Sequence, residues 1–169
     1  MDGNPIERIR SARVRELYDY WAGKRRGRPM PSRDDIDPAE IKTLLPYLMI
    51  TEVHYNPLRV RYRLLGTRIV EAAKTDLTGQ WLHEADLSGN NSIWIEVYRR
   101  VTETMAPVFG RTRATVGPGD IQMFDWVVLP LSDDGATVNH TLKLEDWEML
   151  RPLSREDVDA AEWTVEPLP

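Results

Sequence analysis

The chain has 169 residues, a net charge of −5 and no cysteine. That length allows one domain with a real core, and the missing cysteine excludes disulfides and thiol chemistry and fits a reducing, cytoplasmic setting. The acidic balance argues against nucleic-acid binding, and with no apolar run of about 18 residues and a strongly charged stretch from Ile6 to Arg15, neither a membrane span nor a signal region is expected.

Charge is distributed unevenly. Residues 1–33 hold nine Lys/Arg against four acids, and residues 145–169 hold eight acids against Arg151 and Arg155. The two ends therefore attract, within one protomer or between two.

Asn4-Pro5 offers a cap and a first helical residue. Val14, Leu17, Tyr18 and Trp21 then form an apolar stripe at i, i+3, i+4, i+7, with Gly23 ending the helix. Its other face is mostly arginine. This amphipathic helix either docks on its own domain or pairs two protomers, and the two roles are compatible. Lys24 to Arg28 is a basic run after a helix C-terminus, where cations suit the dipole, and it reads as a solvated loop. Asp37-Pro38 with Glu40 starts a short helix that Pro46 stops. Tyr47–Tyr55 reads as a strand, closed by Asn56-Pro57, and residues 59–66 as its hairpin partner.

Between Val60 and Leu82 the pattern changes. Val60, Tyr62 and Leu64 alternate with arginines, as in a half-buried strand. Gly66-Thr67 breaks this, Ile69, Val70 and Ala73 fall at helical spacing, and Asp76-Leu77-Thr78-Gly79 turns the chain back. A strand feeding short helical pieces predicts a sheet with small helices folded over one face and a cavity between. Ser92 caps a longer helix that ends before Pro107, with Trp94, Val97, Tyr98, Val101 and Met105 inward. Three strands follow as an antiparallel meander, Pro107–Val116, Ile121–Ser132 and Ala136–Leu144, the last two joined by a tight turn at Asp133-Asp134-Gly135. Met123 to Leu129 is apolar on both faces, which predicts a central strand covered on its outer side as well, the N-terminal helix being the obvious cover. Ser154 caps a short acidic helix to about Glu162, Trp163 is set to dock, and Val165–Pro169 reads as a loose tail.

Two strands, several small helices and a three-stranded meander, with Tyr18-Asp19-Tyr20-Trp21, Pro31-Ser32-Arg33 through Asp37-Pro38, Leu44-Leu45-Pro46, Tyr62-Arg63-Leu64-Leu65-Gly66-Thr67, Asp76-Leu77-Thr78-Gly79 and Pro130-Leu131-Ser132 to Gly135, resemble a PAS domain over residues 17–145. The short stand-alone bacterial PAS-like proteins are the nearer likeness. The resemblance implies an α+β fold: a five-stranded antiparallel sheet with short helices over one face and an N-terminal amphipathic helix. It divides the chain into a helix and basic loop (1–30), a PAS-like domain (31–150) and an acidic extension (151–169).

The resemblance also implies a sensory or regulatory module that binds a small ligand non-covalently and signals through protein contacts, with a ligand-free dimerisation scaffold as the alternative and a small enzyme behind both. Sulfur-linked flavin or chromophore chemistry needs the missing cysteine. Haem-binding members use a histidine on the long helix, and residues 92–105 contain none, so no cofactor is expected. Of the three histidines, His54, His83 and His140, His83 with Glu84 and Asp86 makes the best local cluster, and without a second histidine or helical i, i+4 spacing it makes no metal site. No nucleophile elbow, P-loop or dinucleotide fingerprint is present, so no enzyme activity is expected. Tyr62, Trp94, Tyr98 and Trp126 are candidate apolar walls of the pocket, Arg63, Arg111 and Arg113 candidate anion clamps, and His140 a candidate contact. Tyr62 and Arg63 point to opposite faces, so only one of them can line the cavity. The expected partners are a second copy through Val14, Leu17, Tyr18 and Trp21, a small molecule and a separate signalling protein, with no nucleic acid and no membrane.

Overall fold

The computed structural model describes residues 9–85, 87, 91–117, 120–152 and 166–167. Helix α1 spans Ala12–Lys24. It starts later than Asn4-Pro5, which lies outside the described residues. Ser11 is the cap, its hydroxyl accepting from the Val14 amide at 3.1 Å, while the Arg10 and Ser11 amides donate to Asp125 Oδ2 at 2.7 and 2.9 Å. A carboxylate from the sheet thus takes the amides that would otherwise extend the helix backwards. Three single-turn 3-10 helices follow, at Arg33–Asp35, Pro38–Ile41 and Leu45–Tyr47. Strands β1 (Leu48–His54) and β2 (Arg59–Leu65) form the first hairpin.

Gly66 ends β2 because the chain passes against Leu45-Pro46 there. A Cβ on Gly66 would lie 2.3 Å from the Pro46 carbonyl oxygen, and the Gly66 amide donates to the Leu48 oxygen at 2.7 Å. Helix α2 (Thr67–Ala73) and helix α3 (Asn91–Thr104) come next. Strands β3 (Val108–Gly117), β4 (Asp120–Leu131) and β5 (His140–Pro152) complete the meander. The sheet is antiparallel throughout, ordered β2-β1-β5-β4-β3, with a two-residue strand β6 (Glu166–Pro167) on the β3 edge.

Other expectations are corrected as well: Met105, expected inward on the long helix, lies past the end of α3 and is exposed. The tight turn at 133–135 is a longer loop, because Asp134 Oδ1 accepts from the Ala136 and Thr137 amides at 2.8 and 2.7 Å and so keeps them out of the ladder. Strand β5 starts only at His140, then runs to Pro152 along β4 from Leu131 back to Gln122. The tail is not loose where it is described, since Glu166–Pro167 pairs with Phe109 and Val108. The acidic helix expected over 154–162 and Trp163 lie outside the described residues.

Both faces of the sheet are covered. On one side α1 lays Val14, Leu17 and Trp21 onto Val127, Leu129, Leu131, Leu142 and Leu144, and the Trp21 Nε1 donates to the Pro130 oxygen at 2.8 Å. On the other, α2 and α3 bury Ile69, Trp94, Val97, Tyr98 and Val101 against Met49, Tyr62, Phe124, Trp126 and Val128. Successive strand residues alternate between these faces, which is why β4 is apolar on both. The opposite charges of the two ends meet within the protomer, where Arg13 Nη1 lies 3.1 Å from Asp146 Oδ1.

Candidate functional site

On the α3 side, β5 presents Thr141, Lys143 and Glu145 at alternate positions, all buried. Lys143 is 1% exposed and Glu145 7%, and they form an ion pair at 2.6 Å. The ammonium also sits 3.2 Å from the centroid of the Trp94 ring, a cation–π contact in a dry interior. Trp126 stands edge-on to Trp94, centroids 5.0 Å apart, and its Nε1 donates to the Thr112 hydroxyl at 2.8 Å. The free Glu145 oxygen accepts from Trp147 Nε1 at 2.8 Å. Burial lowers the Lys143 pKa and Glu145 opposes that shift.

Beside this group the Thr51 and Thr141 hydroxyls share a 2.6 Å hydrogen bond. The fully buried Tyr98 hydroxyl lies beside both, and their hydroxyls oppose the rise that burial imposes on its pKa. Burial pushes its pKa up, and burial likewise raises that of Tyr62, helped by the neighbouring Tyr98 and Glu145.

Tyr98 also lines a cleft of about 220 Å³, with Arg59 and Val60 of β2, Leu82 and His83 of the returning segment, and Ile95 of α3. That segment is tied to the β2 edge through the Gly79 amide to the Tyr62 oxygen (2.7 Å), the Tyr62 amide to Gln80 (3.0 Å) and the Leu82 amide to Val60 (2.9 Å). At the mouth Arg59 stacks on Trp81, its guanidinium carbon 4.0 Å from the ring centroid, and contacts His83 Nε2 at 3.1 Å and Glu84 at 3.3 Å.

The family model for the PAS domain matches residues 9–144. The chain belongs to the PAS domain family. A search of curated proteins returns no match. Membership makes this chain a sensory or regulatory module, of a family whose domains are in general non-enzymatic. Among the described residues no group of three or more His, Asp or Glu is placed to hold a metal ion, and no helix is long and apolar enough to cross a membrane.

Within this PAS domain Tyr62, Trp94, Tyr98 and Trp126 come together between the sheet and α3. Arg63 does not join them. It is the outward member of its pair with Tyr62, 51% exposed, with its Nε 3.1 Å from Glu52. Arg111 is on the α1 side, its Nε 2.7 Å from Asp125, and Arg113 lies on β3 at a position whose side chain is outside the described part. His140 belongs to the strand face that meets α1 rather than α2 and α3, because Leu142 and Leu144 on that face pack under α1. Val14, Leu17 and Trp21 are buried on the chain's own sheet, and Tyr18 is half-buried against Phe109, ring centroids 5.4 Å apart. The dimer stripe is thus taken up within the protomer.

Lys143 and Glu145 carry the most unusual chemistry of the interior, and reading the sequence for motifs missed them. The signal was available: β4 is apolar on both faces, so the strand beside it is also covered, and opposite charges two residues apart on such a strand must be buried as a pair.

Proposed function

We propose that this PAS domain takes a small ligand non-covalently in the cleft between β2 and α3 and passes its state on through protein contacts. The carrying observation is the cleft itself, an apolar hollow against α3 that reaches Tyr98 of the buried aromatic group. The cleft of about 220 Å³ corresponds to roughly seven waters at about 30 Å³ each, so the ligand is small. Leu58, Val60, Leu82 and Ile95 favour an apolar body, and Arg59 with His83 at the mouth favours a polar or anionic end. The reading assigns no chemical step to the chain. Its output runs to a second copy or to a separate protein, and sedimentation of the purified chain distinguishes these.

A thermal-shift screen of small carboxylates and alcohols, repeated by native mass spectrometry, tests the proposal. A ligand bound only by the folded chain raises the melting temperature saturably, and Tyr98→Phe weakens that shift. No shift with any compound, and no co-purifying mass, would favour the second reading, a ligand-free interaction scaffold. That reading draws its support from the interior around Lys143, which is already filled by side chains.

A further inference from the structure

The contacts of Lys143 are those of a recognised ligand. Its ammonium rests on one indole face, 3.2 Å from the Trp94 centroid, and against one carboxylate oxygen at 2.6 Å. Trp147 holds the second carboxylate oxygen, and Trp126, itself pinned to Thr112, braces Trp94. An aromatic face plus a fixed carboxylate is the chemistry that selects an ammonium group, and here each part is held by another hydrogen bond or ring contact, as a binding site requires. An ammonium kept only for packing is expensive, since an apolar side chain of similar volume is often neutral or stabilising in its place.

We propose that the interior of this domain is a primary-ammonium site occupied in cis, with Lys143 as a tethered ligand. The tether makes occupancy intramolecular, so the site stays filled without an external molecule. Shortening the tether converts it into a site for a free alkylammonium ion. The inference is independent of the β2–α3 cleft.

Lys143→Ala deletes Cγ, Cδ, Cε and Nζ, which together make n-propylammonium. The full chain carrying this substitution is melted with n-propylammonium chloride and with 1-propanol at equal concentrations. The expected result is a saturable rise of about 3–5 °C at ten times the dissociation constant of propylammonium, with little effect from propanol and none on the wild type. No rise, an equal rise with propanol, or an equal rise in the wild type overturns the proposal. Where Lys143→Ala does not fold, the wild-type chain labelled with ¹³Cε-lysine decides: the Lys143 methylene must resonate well upfield of Lys24, Lys42 and Lys74 because it lies over the Trp94 ring. Four superimposed signals at the position of solvated lysine would overturn it equally.

Discussion

Adding one methyl group at Gly110 tests how tightly the interior is built. A Cβ there would lie 2.1 Å from Cζ2 and 2.5 Å from Cε2 of Trp126, far inside contact distance, so something must move. The β3 backbone is held in register with β4. Trp126 is fully buried, bonded to Thr112 and packed edge-on to Trp94. Forcing the ring aside costs about 1–3 kcal/mol in overpacking, about 0.5–1.5 kcal/mol for the hydrogen bond and about 0.5–1.5 kcal/mol for the aromatic pair. Gly110→Ala is therefore expected to lose about 2–6 kcal/mol in urea unfolding, seen as a lower midpoint at unchanged m. Gly23→Ala is the control. Nothing lies within 4 Å of its new Cβ, and in helix α1 it should gain up to about 1 kcal/mol. Trp126→Leu should cost less in the Gly110→Ala background than in the wild type, with a coupling of at least about 1 kcal/mol. A Gly110→Ala variant within about 0.5 kcal/mol of wild type, or strict additivity with Trp126→Leu, would refute the tight-packing reasoning.

Three further outcomes follow. Ser11→Ala removes a helix cap worth about 1 kcal/mol and strips Asp146 of the 2.6 Å hydroxyl contact. A loss of about 2–3 kcal/mol is expected, with faster amide exchange across 12–24, and unchanged exchange there would contradict it. Lys143→Met leaves Glu145 buried beside no cation and should cost about 3–5 kcal/mol, most of it recovered by adding Glu145→Leu; denaturant curves showing no recovery would count against the pair as drawn. Asp35 titrates at about 2 rather than 3.8, held down first by the Ser32 amide and then by Arg28. A carboxyl depressed on folding stabilises above its unfolded value, and that stability is lost as pH falls through about 2. Acid titration of Asp35→Asn should show a shallower loss between pH 3.8 and about 2, and an unchanged slope would remove Asp35 from the acid response.

The fold was legible where periodicity and punctuation agree. Val14, Leu17 and Trp21 at helical spacing marked α1, Gly66-Thr67 marked the end of β2, and the two-sided apolar run of β4 marked a central, doubly covered strand. The boundaries that moved did so through long-range side chains. Asp125 captures the amides before Ala12, and Asp134 captures those before His140. No local pattern displays a carboxylate that arrives from 114 residues away. The candidate site was legible in part. Aromatics at buried positions of α3 and β4 came together, whereas Arg111 went to the far face and Arg63 to solvent, because strand parity alone does not say which face lies under which helix. His140 shows this directly: its apolar strand-mates are real, but their cover is α1.

The register of β4 against β5 sets Asp125 opposite Asp146 and Trp126 opposite Glu145. The first pair faces α1, where it takes the Arg10 and Ser11 amides, the Ser11 hydroxyl and Arg13. The second faces α3 and frames the Lys143 ammonium. A slip of one residue would exchange the faces of a whole strand, turning a carboxylate toward the indoles and an indole toward the helix start. Each misalignment would be penalised twice, once on each side. These four residues thus act as a two-sided lock on the pairing of the two longest strands, just past the point between Met123 and Asp125 where the register shifts.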